Sequence, residues 1–241
     1  MNKSVLTSIV EKYHLNGNVE AVMWSIKNKA LNIRFITPNK NLIGEIKLTN
    51  FELDDSEIGI YNTSQFLRLI KVTDEYLELS VNKGNYNKAI ELLIKDNQFD
   101  LSYYLSDLSL IEDVPAVNEP IDYDATIEVY KDFISKFLNA KKALGDIKRF
   151  TVKSQVVDGK MEILFLLGDD AAYSNKIKFS EPAEALFGLD ELPFPADYFK
   201  DILDANQGAD KGQIKISNEG LLTISFKEDD VKSKYFLVRL Q

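Results

Sequence analysis

Cysteine is absent from this 241-residue chain. That excludes disulfides, thiolate catalysis and cysteine-ligated zinc. Histidine occurs once, at His14, which excludes a metal site built from several histidines. No glycine-rich phosphate loop occurs, so any ATP hydrolysis has to come from a partner. No apolar run approaches the ~18 residues needed to cross a bilayer. The opening "MNKSVLTSIVEKYHL" lacks the apolar core and small-residue cleavage site of a signal peptide. The sequence reads as a soluble, cytoplasmic, globular protein with no membrane partner and no cofactor.

What is present is a core-forming composition, 45% hydrophobic and 11% aromatic, with a net charge of −9. The length suits one large domain or two of about 100–150 residues. The charge is unevenly spread. Residues 131–150, "KDFISKFLNAKKALGDIKRF", carry six basic side chains against two acidic ones, so the remainder sums to −13. An acidic protein that concentrates positive charge in one segment can still bind an anionic partner there.

A helical period over "KSVLTSIVEKYH" places Val5, Leu6, Ile9, Val10 and Tyr13 on one side. After the turn signal "LNGN", strands are expected at "VEAVMWSI", "ALNIRFI", "LIGEIKL" and "EIGIY". A helix follows at "NTSQFLRLIKV", capped by Asn62, Thr63 or Ser64. Strands return at "YLELSV", "AIELLIK" and "FDLSYYLSDL", and "LIEDVPAVNEPID" reads as a linker. The order then repeats: strand "ATIEVY", helix "KDFISKFLNAKKAL", a hairpin turning at Asp158-Gly159, strand "NKIKF", helix "PADYFKDILDAN" and two closing strand regions. Helices are expected near Lys3, Thr63, Tyr130 and Pro195, roughly a quarter of the chain apart, which is a repeat of architecture.

At ~100° per residue, Phe66, Leu67 and Ile70 form the buried stripe of the second helix, with Arg68 opposite and Lys71 on its flank. In the third, Phe133, Ile134, Phe137, Leu138 and Leu144 face inward. Lys131, Lys136 and Lys142 lie at its flanks, and Lys141 falls nearer the apolar side, where the helix is expected to end or fray. Glu11, Thr7 and Ser4 face outward in the first helix, with Lys12 at an edge. Outward lysines ordinarily do no more than solubilise a helix; two helices at equivalent repeat positions exposing them is the stronger signal. The fourth helix is expected to expose Asp197, Asp201 and Asp204.

On "SQFLRLIKVTDEYLELSV", "YYLSDLSLIEDVPAVNEPIDYDATIEVYKDF" and "KYFLVRL", the chain resembles the sliding clamps of DNA replication, the family of proliferating cell nuclear antigen and of tailed-phage polymerase processivity factors. The resemblance covers nearly the whole chain in order of elements. A start almost directly in a helix and an end at Gln241 favour the phage branch, with a phage-infected bacterium as host. The resemblance implies an α+β fold of two similar domains, helices packed on antiparallel sheets, at 1–109 and 124–241, joined by an interdomain connector at 110–123. It implies a homotrimeric ring closed head to tail around duplex DNA, serving a DNA polymerase and opened by a clamp-loader ATPase. DNA-facing positions would be Lys12, Arg68, Lys71, Lys131, Lys136 and Lys142, within an acidic exterior. A partner peptide would dock against Ile111, Val114, Ile121, Tyr123, Leu237 and Val238. Subunits would meet at Tyr103 and Tyr104 on one edge strand and at Lys176 and Lys178 on another.

Other readings stay open at this point. A non-enzymatic virion structural or adaptor protein could be built from two such modules. A magnesium-dependent nucleic-acid enzyme could use the acid pairs Asp54-Asp55, Asp169-Asp170 or Asp229-Asp230, although each sits in a turn-like context. His14 is expected at the end of the first helix, where positive charge suits the dipole, and Trp24 in the core.

Overall fold

A computed structural model describes residues 1–117, 120–168, 174–185 and 188–241. The chain divides into two compact units. One comprises Met1–Pro115 with Asp229–Ser233, the other Ala116–Glu228 with Lys234–Gln241. The tract expected to be a connector is shared between them.

The first unit begins with helix α1 (Lys3–His14), then strands β1 (Val22–Lys27), β2 (Ala30–Ile36), β3 (Leu42–Thr49) and β4 (Ser56–Ile60). These four form an antiparallel sheet in the order β3-β2-β1-β4. Helix α2 (Thr63–Lys71) leads into a second antiparallel sheet, β5 (Glu78–Lys83), β6 (Ala89–Lys95) and β7 (Asp100–Tyr104), with β6 central. The Asn62 side chain caps α2 by accepting from the Gln65 N–H at 2.8 Å. The two helices pack together, and their stripes of Leu6, Ile9, Val10 and Tyr13 and of Phe66 and Ile70 are fully buried. Trp24 meets Phe66 edge-on at 5.7 Å inside this core, as its apolar strand implies.

The second unit repeats the plan with β8 (Ala125–Tyr130), α3 (Lys131–Leu144), β9 (Arg149–Val157), β10 (Lys160–Leu167), β11 (Ile177–Pro182), a two-residue β12 (Glu184–Ala185), β13 (Leu192–Pro195), α4 (Ala196–Ala205), β14 (Lys211–Ser217), β15 (Leu221–Glu228) and β16 (Val231–Val238). One sheet runs β12-β8-β14-β15-β16 and the other β11-β10-β9-β13. Asp158 and Gly159 both take positive φ, 49° and 76°, between the paired Val157 and Lys160, as the hairpin reading requires. Helix starts fall within one residue of expectation. Strand β13 was not legible because prolines 193 and 195 oppose a strand reading. It lies at a sheet edge, where a missing N–H is tolerated. Phe133, Phe137, Phe150, Phe165 and Phe199 build the core beneath α3 and α4.

α3 does not fray at Lys141. It continues to Leu144 with Lys141 buried, while Leu138 and Leu144 are only partly covered. Asp201 is buried as well, so α4 exposes fewer acids than the wheel suggests.

Candidate nucleic-acid and partner interfaces

In the first unit, the outer side of α2 presents Arg68 and Lys71, both exposed and without an ion pair among the described residues. The Lys3 ammonium adds positive charge at the same end. It donates to the carbonyl of Lys71 at 3.1 Å and to that of Thr73, which satisfies the carbonyls at the helix C-terminus. Lys12 does not belong to this face. It is 2% exposed, and its ammonium donates to Ser8 Oγ at 3.0 Å. The helix-wheel edge at Lys12 is covered, so its stem packs inward and its head is satisfied locally. His14 sits at the C-terminus of α1 as expected. Its Nε2 lies 3.0 Å from Ser64 Oγ and 3.3 Å from Glu20 Oε1, which links the end of α1 to the first turn of α2. Burial pushes the Glu20 carboxyl up, but hydrogen bonds from the Ser64 hydroxyl and N–H and from His14 outweigh it and hold it below the usual carboxylate range.

In the second unit the lysines of α3 divide by partner. Lys131 pairs with Asp210 at 2.9 Å, and Lys136 with Asp132 and Glu181 at 3.1 Å each. Hydrogen bonds to those two carboxylates hold the Lys136 ammonium above its usual range. Lys142 is exposed with no ion pair among the described residues. The acids of α4 are engaged internally: Asp197 with Lys141 at 3.0 Å and Lys148 at 3.4 Å, Asp201 and Asp204 with Lys200 at 3.0 and 2.7 Å. Neutralised acids repel a polyanion far less than their count suggests.

The expected edge strands are edges. Among the described residues β7 pairs only with β6 along its length, and β11 only with β10. Tyr104 is 78% exposed on β7, and Lys176 and Lys178 are exposed at and just before β11. Tyr103 does not present its ring at this edge. It is 6% exposed, packs on Phe66 at 4.9 Å and exchanges 3.3 Å hydrogen bonds with the Asn62 backbone.

Four of the six residues expected to form one peptide pocket lie in two separate cavities. In the first unit a cavity of about 360 Å³ is lined by Ile111 and Val114 together with Tyr61, Leu110, Phe35 and Pro38. Salt bridges from Lys40 to Glu112 at 3.4 Å and from Arg34 to Glu45 at 3.3 Å lie around it, and Arg34 also donates to the Pro115 carbonyl. In the second unit a cavity of about 400 Å³ is lined by Ile121 and Tyr123 with polar side chains of β14, β15 and β16. Leu237 belongs to neither. It is fully buried, while its neighbour Val238 is 43% exposed. Successive strand residues face opposite sides, so these two could not share a wall. The same period separates Tyr103 from Tyr104.

Of the acid pairs, Asp55 accepts the Asn28 N–H at 2.9 Å in a turn, and Asp230 accepts from the Asn50 amide at 3.4 Å. Asp169 and Asp170 lie outside the described residues. Among the described residues no group of three possible metal ligands occurs, and no helix is long and apolar enough to cross a membrane.

No sequence-family profile matches the chain. A DNA polymerase sliding clamp of Methanopyrus kandleri is 24% identical over 176 residues, 70% of this chain and 64% of that protein, so the match spans less than two thirds of the relative. Proliferating cellular nuclear antigen of Entamoeba histolytica superposes with a TM-score of 0.77 at 15% identity, covering 100% of this chain and 96% of that one. A chain of the PCNA2–PCNA3 complex of Sulfolobus tokodaii superposes at 0.76 with 12% identity, covering 99% and 97%. Helices on antiparallel sheets in two repeated units therefore constitute the sliding-clamp fold. The likeness to these two PCNA chains is one of fold and extends over the whole length.

Proposed function

We propose that the chain is a non-enzymatic DNA polymerase sliding clamp that encircles duplex DNA without reading its sequence. The observation that carries this reading is the set of exposed cations without a carboxylate partner among the described residues, Arg68 and Lys71 on α2 and Lys142 on α3, on helices whose apolar stripes are packed against their own unit. Lysine and arginine on phosphates give attraction that is independent of base sequence, which is what a sliding protein needs. Lys131 and Lys136 contribute after exchanging carboxylates for phosphates. The sequence relative named a DNA polymerase sliding clamp supports the same role over a virion structural or adaptor protein.

Ring closure follows from the edges. An unpaired strand invites pairing, and β7 of one copy against β11 of the next is a head-to-tail contact that closes at a suitable rotation. A homotrimer is the proposed state, with Tyr104, Lys176 and Lys178 at the joint. The Ile111–Val114 cavity is the proposed seat of an apolar anchor from a polymerase or a clamp-loader ATPase. A tailed-phage source remains part of the proposal.

The test replaces Arg68, Lys71, Lys136 and Lys142 with alanine. Binding to duplex DNA of any sequence should weaken, and the slope of log affinity against log salt should flatten by about 0.9 for each phosphate that is no longer neutralised. Unchanged DNA affinity and polymerase processivity, with assembly intact, would remove these side chains from the pore. Ile111→Ala with Tyr123→Ala should cost roughly 2–4 kcal/mol of polymerase-peptide affinity if both residues are anchors. Their placement in separate cavities makes the single variants informative.

A further inference from the structure

The second unit carries a cationic sheet face that the acidic exterior expected from the sequence does not include. Ile214 of β14 and Ile224 of β15 are paired and fully buried, and Tyr235 of β16 is held by Asn206, the residue that ends α4, at 2.9 Å. These residues define the helix side of the sheet. The alternate residues stand on the opposite side: Glu128 and Tyr130 of β8, Lys211, Gln213 and Lys215 of β14, Ser225 and Lys227 of β15, and Lys234 of β16.

At one end of this face three side chains form a row. Lys211 lies directly across from Tyr130 on one neighbouring strand and from Lys227 on the other. Like charges directly opposed on one face are unfavourable unless an anion offsets them. Glu128 offsets one of the two: it accepts from Lys211 at 2.6 Å and from the Gln213 amide at 2.9 Å, so both of its oxygens are engaged on β14. Lys227 is exposed with no ion pair among the described residues. Tyr130 completes the row, 53% exposed. Farther along β14 the cations return at Lys215, with Lys234 of β16 beside the same hollow. The two cationic sites are about 13 Å apart at the ~3.4 Å rise of an antiparallel strand. Between them lie the paired neutral side chains of Gln213 and Ser225. A second carboxylate, Glu184 of β12, sits at the far edge of the sheet, opposite Thr126 of β8.

We infer that this face binds single-stranded nucleic acid, with a phosphate at Lys211 and Lys227, a base stacked on Tyr130, and the backbone running past Gln213 and Ser225 to Lys215 and Lys234. An uncompensated cation pair attracts phosphate whatever the base sequence. An exposed ring beside it offers a platform for an unpaired base. A duplex keeps its bases stacked on one another and has no use for Tyr130. An acidic polypeptide would use the lysines and leave the ring without a role. The face lies on the side of the sheet away from α4, and none of its residues belongs to the set proposed to grip duplex DNA. The inference therefore goes beyond the clamp reading and does not rest on it.

The test titrates the full chain into a fluorescent oligodeoxythymidylate, a fluorescent duplex and fluorescent polyglutamate over a salt series. The single strand should bind wild type. Lys211→Gln with Lys227→Gln should bind it more weakly, with a salt slope flatter by about 0.7 for each single-strand phosphate no longer neutralised. Tyr130→Ala should weaken it about fivefold or more, and Tyr130→Phe should match wild type, because stacking uses the ring and not the hydroxyl. Lys227→Gln alone relieves a like-charge pairing, so its thermal unfolding should fall at or above that of wild type while strand binding drops, which separates lost binding from lost folding. Duplex affinity should stay that of wild type in these variants, and the alanine variant of Arg68, Lys71, Lys136 and Lys142 should keep its single-strand binding. No single-strand binding to wild type, unchanged binding in the sheet variants, or loss only in that alanine variant would each overturn the proposal. Strand binding indifferent to Tyr130→Ala, with polyglutamate bound equally well, would make the face a site for any polyanion and overturn it too. Failure of the clamp reading would appear separately, as unchanged duplex affinity in the alanine variant.

Discussion

The ammonium of Lys141 lies 3.0 Å from the Asp197 carboxylate, and the lysine side chain is only 8% exposed. α3 and α4 are thus joined by a charge pair that also engages the Gly145 carbonyl at 2.8 Å. Burial pushes the Asp197 carboxyl up, but hydrogen bonding and charge from Lys141, helped by Lys148, outweigh it and hold it below the usual range. Asp197→Ala leaves a covered cation without its carboxylate and should cost about 1–3 kcal/mol. Adding Lys141→Met should recover most of that loss, because an apolar replacement removes the unpaired charge. Urea unfolding of both variants measures it; a single variant as stable as wild type would mean the pair is solvated.

Glu20 gives a pH prediction. Its folded carboxyl sits below the usual range, so the unfolded chain binds more protons and stability rises with pH in that window. The contribution is complete above the unfolded value of about 4.3 and is lost as pH falls through the lower folded value. Glu20→Gln should flatten the stability profile across that acidic window and change little in its slope near neutrality. Thermal unfolding over a pH series would show it, and parallel profiles for the two proteins would contradict it.

Gly44 stands opposite Phe35 across β2 and β3, and a Cβ there would overlap the ring. Gly212 stands opposite Phe226 in the same way. Gly44→Ala should therefore destabilise by about 1–3 kcal/mol, the usual cost of overpacking. Phe35→Leu introduced with it should cost less than the two single effects added together, because both act on one space. Urea unfolding of the two single variants and the double variant measures this, and strictly additive losses would contradict it.

Lys12 should behave as a core residue. Lys12→Ala removes a packed stem and the hydrogen bond to Ser8, so thermal stability should fall. Its duplex-DNA salt slope should match wild type, while Arg68→Ala should change the slope and leave stability nearly untouched. The opposite pattern would return Lys12 to the DNA-facing set.

The sequence by itself determined most of the element order, the four helix positions, the Asp158-Gly159 turn and the centres of the stripes of α1, α2 and α3, because each follows from a local period or a backbone preference. It also contained the period-two information that separates Tyr103 from Tyr104 and Leu237 from Val238. Only the tertiary structure decided which charged residues are covered. A helix wheel assumes one buried side, yet α1 and α3 are each packed by a neighbouring helix as well as by a sheet. That widens the buried arc enough to take in Lys12 and Lys141. The cationic face of β14, β15 and β16 was equally invisible along the chain. Lys211, Lys215, Lys227 and Lys234 sit on three strands, and only antiparallel pairing brings them to one side of one sheet.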